Sequence, residues 1–195
     1  KKFTYIINEI KDDFDFKLIH INNSASSLVY NFNSDLSRVG ISLYGIYPSE
    51  YIKESSDINL YQTFDFKAQI SFVKEVKKGT SISYGRTYIA KKDMKVATIV
   101  VGYADGFKRA FSNIGEVLVN GKLAKVVGRV CMDQTMIDVS GIDCRIGDYV
   151  KIYPDIYKEA RKIDTIPYEL MTSISNRVPR IYKSQFKLIG DNNEG

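Results

Sequence analysis

Three short runs concentrate the residues of this chain that could do chemistry. They are Ser83-Tyr84-Gly85-Arg86-Thr87-Tyr88, Gly102-Tyr103-Ala104-Asp105-Gly106 and Val127-Gly128-Arg129-Val130-Cys131-Met132-Asp133-Gln134. Together they offer phenols, guanidinium groups, a thiol and carboxylates, set among glycines that allow backbone to approach closely. A phenol has an ordinary pKa of about 10, so Tyr84 would need downward tuning or a hydrogen-bond network to act as a base near neutrality. The chain has 14 tyrosines, and packing is the competing role for any one of them. Cys131 reads as a packed small hydrophobe rather than a nucleophile, and Met132 as core filler unless only its backbone amide is required.

A second group lies earlier, in Asn23-Ser24-Ala25 and Arg38-Val39-Gly40-Ile41. A phosphate dianion needs hydroxyl and backbone N–H donors converging on it, and Ser24 with the amides at Gly40 and Ile41 could build such a cradle. The competing assignment is that Ser24 only caps a helix and Gly40 only fits a strand. Arg38 by itself reads as a surface or salt-bridged arginine. His20, the only histidine, reads as a satisfied core or surface residue.

The elements that must position these residues change character along the chain. Phe3, Ile6, Ile7 and Ile10 fall on one face of an amphipathic helix. Lys17 to Ile21 reads as a short strand, and Val39 to Gly45 as a buried one, with a helical stretch between them. That order suits the end of a parallel βα barrel, where loops after the strands carry chemistry. From about Tyr61 the pattern becomes β. Phe66, Ala68, Ile70 and Phe72 alternate with period two. Lys77-Lys78-Gly79 is a turn, and Val96 to Val101 a strand. Glu116 to Val119, then Asn120-Gly121, then Lys122 to Val127 reads as a hairpin with a type I′ turn. Tyr149 to Tyr153 adds a strand. Asp164 or Thr165 is expected to cap a helix carrying Pro167 in its first turn and stopped by Pro179.

Composition narrows the classes. A chain of 195 residues that is 44% hydrophobic can bury a core and hold one domain plus part of another. No apolar run is long enough to span a bilayer, and Lys1-Lys2-Phe3-Thr4-Tyr5 does not open a signal peptide, so a cytoplasmic location is expected. Two cysteines make no disulfide framework, and one histidine excludes most His-based metal sites. A net charge of +5 permits anion binding.

The three runs, in this order, resemble the C-terminal domain of alanine racemase, a family of pyridoxal-phosphate (PLP) enzymes. The earlier segments agree. That family carries a His-x-x-Asn-Ser-Ala run, matched by His20 to Ala25, and an Arg-x-Gly-Ile run, matched by Arg38 to Ile41. The resemblance implies a mainly β C-terminal domain, an alanine-racemase-type β-barrel, over residues 61–195. It would be preceded by the last βα units of a TIM-type barrel over residues 1–60. It also implies that Ser24, Gly40 and Ile41 hold the PLP phosphate, that Arg38 faces the pyridine nitrogen, and that His20 joins a network near Arg38. Tyr84 would be the acid/base on one face of the substrate, opposite the cofactor lysine. Met132 would meet the substrate carboxylate through its backbone amide. Tyr103, Arg109, Arg129 and Ile174 would line the substrate entryway, and Cys131 and Asp133 would flank Met132. Where the family often has tyrosine before its Arg-Val-Pro-Arg run, this chain has Asn176, a shorter group for the same phosphate contact.

The family's lysine run, Val-x-Lys-Ala-Asn-Ala-Tyr-Gly, does not occur in this chain. The expectation is therefore a C-terminal portion of an L-/D-alanine racemase, inactive by itself. The family is a homodimer with composite sites, so Tyr84 and Met132 would serve the partner subunit's site. A serine or broad-specificity racemase, a related PLP decarboxylase, and a basic β-barrel binding nucleic acid are the alternatives. Arg38 argues against the decarboxylase, which places a carboxylate at the pyridine nitrogen. The lack of aromatics interleaved with basic residues argues against the nucleic-acid binder.

Overall fold

The computed structural model describes residues 2–30, 32 and 34–183. The chain divides into two units, with the break between Phe64 and Asp65.

In the first unit, α1 (Lys2–Ile10) forms where the apolar spacing expects it, yet none of its residues is buried. Strand β1 (Asn22–Asn23) runs directly into α2 (Ser24–Val29). Asn23 caps that helix reciprocally: its Oδ1 accepts from the Ser26 N–H at 3.0 Å, and Ser26 Oγ accepts from the Asn23 N–H at 2.9 Å. Strand β2 (Ser37–Arg38) pairs parallel with β1, Asn22 opposite Ser37 and Asn23 opposite Arg38. A short α3 (Glu50–Ser55) follows.

Two strand expectations are corrected here. Lys17 to Ile21 is not a strand, because Ile19 bonds to Asp35 through its N–H (2.6 Å to Oδ2) and its carbonyl (2.9 Å) rather than joining a ladder. Val39 to Gly45 is not a strand either. Ile41–Tyr44 is a 3₁₀ turn closed by Gly45 in the left-handed region. Glycine is required there, since a Cβ would stand 1.8 Å from the Tyr61 carbonyl oxygen.

The second unit is an antiparallel sheet of β3 (Lys67–Val76), β6 (Met94–Ile99), β7 (Glu116–Val119), β8 (Lys122–Lys125), β9 (Thr135–Asp138) and β10 (Tyr149–Lys151). A separate ribbon pairs β4 (Ser81–Ile82) with β5 (Tyr88–Ile89). The six strands lie in the order β8-β7-β10-β3-β6-β9. An antiparallel bridge from Val126, just past β8, to Ile137 on β9 closes them into a barrel. The interior is apolar: Ile70, Ile99, Val117, Val119, Ile137 and Val150 are at most 1% exposed. A second layer stacks Phe107 on Phe111 at 4.8 Å, with Tyr153 tilted against both.

The Asn120-Gly121 hairpin is as expected, with φ of +46° and +79°. The alternation from Phe66 fails at one point. A bulge between Ile70 and Phe72 shifts the register and turns Phe72 outward, 52% exposed. Two further elements, α4 (Ile156–Lys162) and α5 (Pro167–Thr172), follow the sheet. Pro167 opens α5 as expected, but its N-cap is Ile166 with no side-chain cap, so neither Asp164 nor Thr165 holds that role. Pro179 lies well beyond the helix end at Thr172, and the Ser173 N–H closes the last turn onto the Glu169 carbonyl at 3.0 Å.

Candidate active site

In the first unit, the candidate residues gather after the C-terminal ends of two parallel strands. Ser24 opens α2 directly after β1 and is 7% exposed. Its Oγ accepts the Gly40 N–H at 2.9 Å. The hydroxyl proton of Ser24 is left to donate. Ile41, next to Gly40, is buried. Two buried polar atoms nearby in sequence have no hydrogen-bond partner among the described residues: the Ser42 hydroxyl, which can donate to an anion, and Asn22 Oδ1, which can only accept, as from water. Such groups are costly unless a bound molecule or water serves them. A small polar cradle with a serine hydroxyl and a bare glycine backbone fits an oxyanion such as a phosphate ester.

Arg38 ends β2, exposed, and its Nη1 lies 2.9 Å from His20 Nδ1. The guanidinium has only donors, so Nδ1 must be the accepting nitrogen and a ring proton sits on Nε2. The two residues that sequence pairs only by resemblance are thus in direct contact.

In the second unit, Tyr84 stands 74% exposed on a 3₁₀ turn, Tyr84–Arg86, between β4 and β5. Ser83 Oγ donates to the Arg129 carbonyl at 2.8 Å and lies 3.6 Å from Cys131 Sγ. The Tyr84 turn is therefore fastened to the 127–134 run. That run also meets the Gly102–Gly106 turn. The Tyr103 and Ala104 N–H groups donate to the carbonyls of Cys131 and Met132, both at 3.0 Å. Tyr103 and Met132 emerge from this junction 44% and 53% exposed. Arg109 is exposed in the turn Arg109–Phe111, and its carbonyl accepts the Ser112 hydroxyl at 2.6 Å. Ser112 Oγ in turn accepts the Val130 N–H at 3.0 Å.

Arg177 ties the remaining piece in. Its Nε is 3.0 Å from Asp105 and its Nη2 2.6 Å from Asp133. The Asp133 bond, with Asp105 beside it, raises the arginine's affinity for its proton further. Asp105 Oδ2 accepts the Gly102 N–H at 2.8 Å, and its carbonyl accepts the Ser175 N–H at 3.1 Å. Half-buried Ile174 and exposed Asn176 flank Ser175 on this segment. Sequence reasoning does not single out Ser83, Asp105 or Arg177 as site residues. The Gly-Tyr-Ala-Asp-Gly spacing carries one usable signal, since Asp at that position can cap its own turn.

Residues 63–182 match the family model for the alanine racemase C-terminal domain, and residues 1–48 match that for its N-terminal domain. The chain belongs to the alanine racemase family. It is 47% identical over 174 residues to alanine racemase 2 of Caldanaerobacter subterraneus subsp. tengcongensis, covering 85% of this chain and 44% of that protein. It is 44% identical to the alanine racemase of Halothermothrix orenii, covering 92% of this chain and 48% of that one. The crystal structure of the Bacillus anthracis alanine racemase with bound L-Ala-P superposes with a TM-score of 0.86 at 35% identity, covering 96% of this chain and 50% of that one. This chain therefore spans about half the length of the alanine racemases it matches. The match to the N-terminal domain falls within the first unit, and nearly all of the match to the C-terminal domain falls within the second, the antiparallel β-barrel. Among the described residues, no group of His, Cys, Asp or Glu could hold a metal ion, and no helix is long and apolar enough to cross a membrane.

Proposed function

We propose that this chain supplies the β-barrel domain and the closing βα segment of a PLP-dependent racemase that interconverts L- and D-alanine. The family membership supports the activity, and the exposed Tyr84 on its fastened turn is the observation that carries the residue assignment. Residues up to Phe64 would belong to the cofactor-binding barrel and the rest to the β-domain. Bound PLP supplies an electron-withdrawing ring that makes the substrate Cα proton removable.

The chain's own groups do the rest. Ser24, through its hydroxyl, and Gly40 and Ile41, through their amides, would hold the phosphate, the Gly40 N–H being shared between Ser24 Oγ and the phosphate, with Asn176 as an additional donor. Arg38, permanently charged, would lie against the pyridine nitrogen and disfavour its protonation, since two adjacent positive charges repel. His20 would hold the Arg38 guanidinium in place through its accepting Nδ1. Racemisation needs one proton carrier on each face of Cα, because the proton removed from one side must be replaced from the other. Tyr84 Oη would be one carrier; the other, a lysine, has no counterpart run in this chain. The Met132 amide would receive the substrate carboxylate. Tyr103, Arg109, Arg129, Cys131, Asp133 and Ile174 would shape the approach. A homodimer in which Tyr84 and Met132 reach the partner subunit's cofactor, in the cytoplasm, supplying D-alanine for cell-wall precursors, completes the proposal.

The test joins this chain to the N-terminal half of the Halothermothrix orenii relative and follows conversion of L-alanine. Wild type should racemise, and Tyr84→Phe should lower kcat about 100- to 10,000-fold, the range of a lost general acid/base. No conversion despite bound PLP would overturn the proposal.

A further inference from the structure

We infer that Ser83 is a positioning residue that holds the Tyr84 phenol at a fixed height and direction through a strained backbone; this rests on the racemase reading of Tyr84. Ser83 has φ +65° and ψ 179°. That region is essentially reserved for glycine, and a residue with a Cβ persists there only when its surroundings over-determine it. The surroundings do so here from three sides. Ser83 Oγ donates to the Arg129 carbonyl at 2.8 Å. Gly128, itself at φ +84°, leaves the space Ser83 occupies, since a Cβ on it would lie 2.5 Å from Ser83 Cβ and 2.8 Å from the Ile82 carbonyl. The Gly128 N–H donates to Asn113 Oδ1 at 2.6 Å, while Asn113 Nδ2 donates to Thr87 Oγ1 at 3.3 Å, so one side chain ties the end of the Tyr84 turn to the glycine that packs against Ser83.

Beyond Ser83, Gly85 (φ +69°) and Arg86 (φ +50°) are also left-handed, so the tyrosine sits on a turn with three positive-φ residues around it. An ordinary turn linking β4 to β5 needs no such strain. A glycine at position 83 would adopt this backbone freely, and its absence marks the side chain as the useful part. The hydroxyl fixes the base of Tyr84 to the same peptide run that presents Met132. The distance from phenol to the Met132 amide is thereby set by two short covalent paths from one anchor, at Arg129. A proton carrier displaced by about 1 Å can lose about a hundredfold in rate, so such an anchor matters for turnover more than for folding.

Ser83→Gly separates the two roles, because it relieves the strain while deleting the anchor. In the completed racemase the expected result is a melting temperature unchanged or raised, kcat lowered about 10- to 100-fold, and a smaller change in KM. Ser83→Ala, which keeps the strain and deletes the anchor, should lower both the melting temperature and kcat. In the 195-residue chain alone, 3-fluorotyrosine at position 84 should give a fluorine resonance that narrows in Ser83→Gly as the ring gains freedom. A Ser83→Gly kcat within about twofold of wild type, or a kcat loss matched by a stability loss, overturns the proposal. A wild-type kcat in Tyr84→Phe would instead overturn the assignment of Tyr84 as a proton carrier, on which this inference rests. The fluorine linewidth would then still decide whether Ser83 immobilises Tyr84.

Discussion

Two glycines of the β-barrel domain show how space and conformation act separately on single residues. Gly102 has extended backbone, φ −147°, that any residue adopts, yet a Cβ there would lie 2.3 Å from both the Cys131 and Met132 carbonyl oxygens. Gly121 is the reverse: φ is +79° and nothing lies within 4 Å of its would-be Cβ. Gly121→Ala should therefore cost about 1 kcal/mol, all of it conformational. Gly102→Ala should cost about 3 kcal/mol or more, because two backbone carbonyls cannot swing aside without breaking the Tyr103 and Ala104 hydrogen bonds. Urea denaturation of the two variants checks the ordering, and equal losses would refute it. Gly102 and Tyr84 stand out by residue type and order within their runs, so sequence alone exposes them. Ser83 does not, because a positive φ at serine is imposed by Gly128 and Arg129, far along the chain, and leaves no local trace.

Legibility of the elements follows the same distinction. The Asn120-Gly121 hairpin is readable because both positive-φ residues and both strands are contiguous. Alternation alone places Phe72 inside, whereas the bulge that turns it outward is a property of pairing with β6. Val39 to Gly45 has the apolar content of a strand, but Gly45 is committed to a turn by the nearby Tyr61 backbone. The clamp formed by Arg177 is equally hidden, since it joins three segments that are separate in sequence. Its function can be tested at the level of those segments. Arg177→Ala should speed hydrogen exchange at the Gly102 and Tyr103 amides about three- to fivefold, the scale of an exposed ion pair, as the 102–106 turn loosens from Asp133. Asp93→Asn, which breaks the exposed pair with Lys77 elsewhere on the domain, should leave both amides unchanged. Equal effects from the two variants would mean that Arg177 contributes only general stability.

At the scale of the whole barrel domain, two carboxylates should bend its stability in opposite directions with pH. Glu159 on α4 is 3% exposed. Burial raises its pKa above the ordinary 4.5, although Lys162 bonds it at 2.6 Å and opposes the shift. A group with a raised folded pKa contributes its stability in full below the unfolded value and loses it as pH rises through the folded one. Asp65 is the opposite case. Its hydrogen bond to Lys151 outweighs its desolvation and lowers its pKa below 3.8. Its contribution is present above 3.8 and is lost as pH falls through the folded value. Lowering the pH from about 7 towards 4.5 should thus recover stability at Glu159, and going below 3.8 should lose it at Asp65. Glu159→Gln keeps a hydrogen-bonding side chain against Lys162 but cannot titrate, and Lys162 retains Glu116 at 2.6 Å. Its urea midpoint should therefore gain less than the wild type's between about pH 7 and 4.5, while the two fall together below 3.8. Asp65→Asn should reverse that comparison, matching the wild-type slope above pH 4.5 and falling less steeply below 3.8. Curves for Glu159→Gln and wild type that stay parallel from about pH 7 to 4.5 would show that Lys162 already balances the burial of Glu159, leaving the α4–β7 contact indifferent to pH.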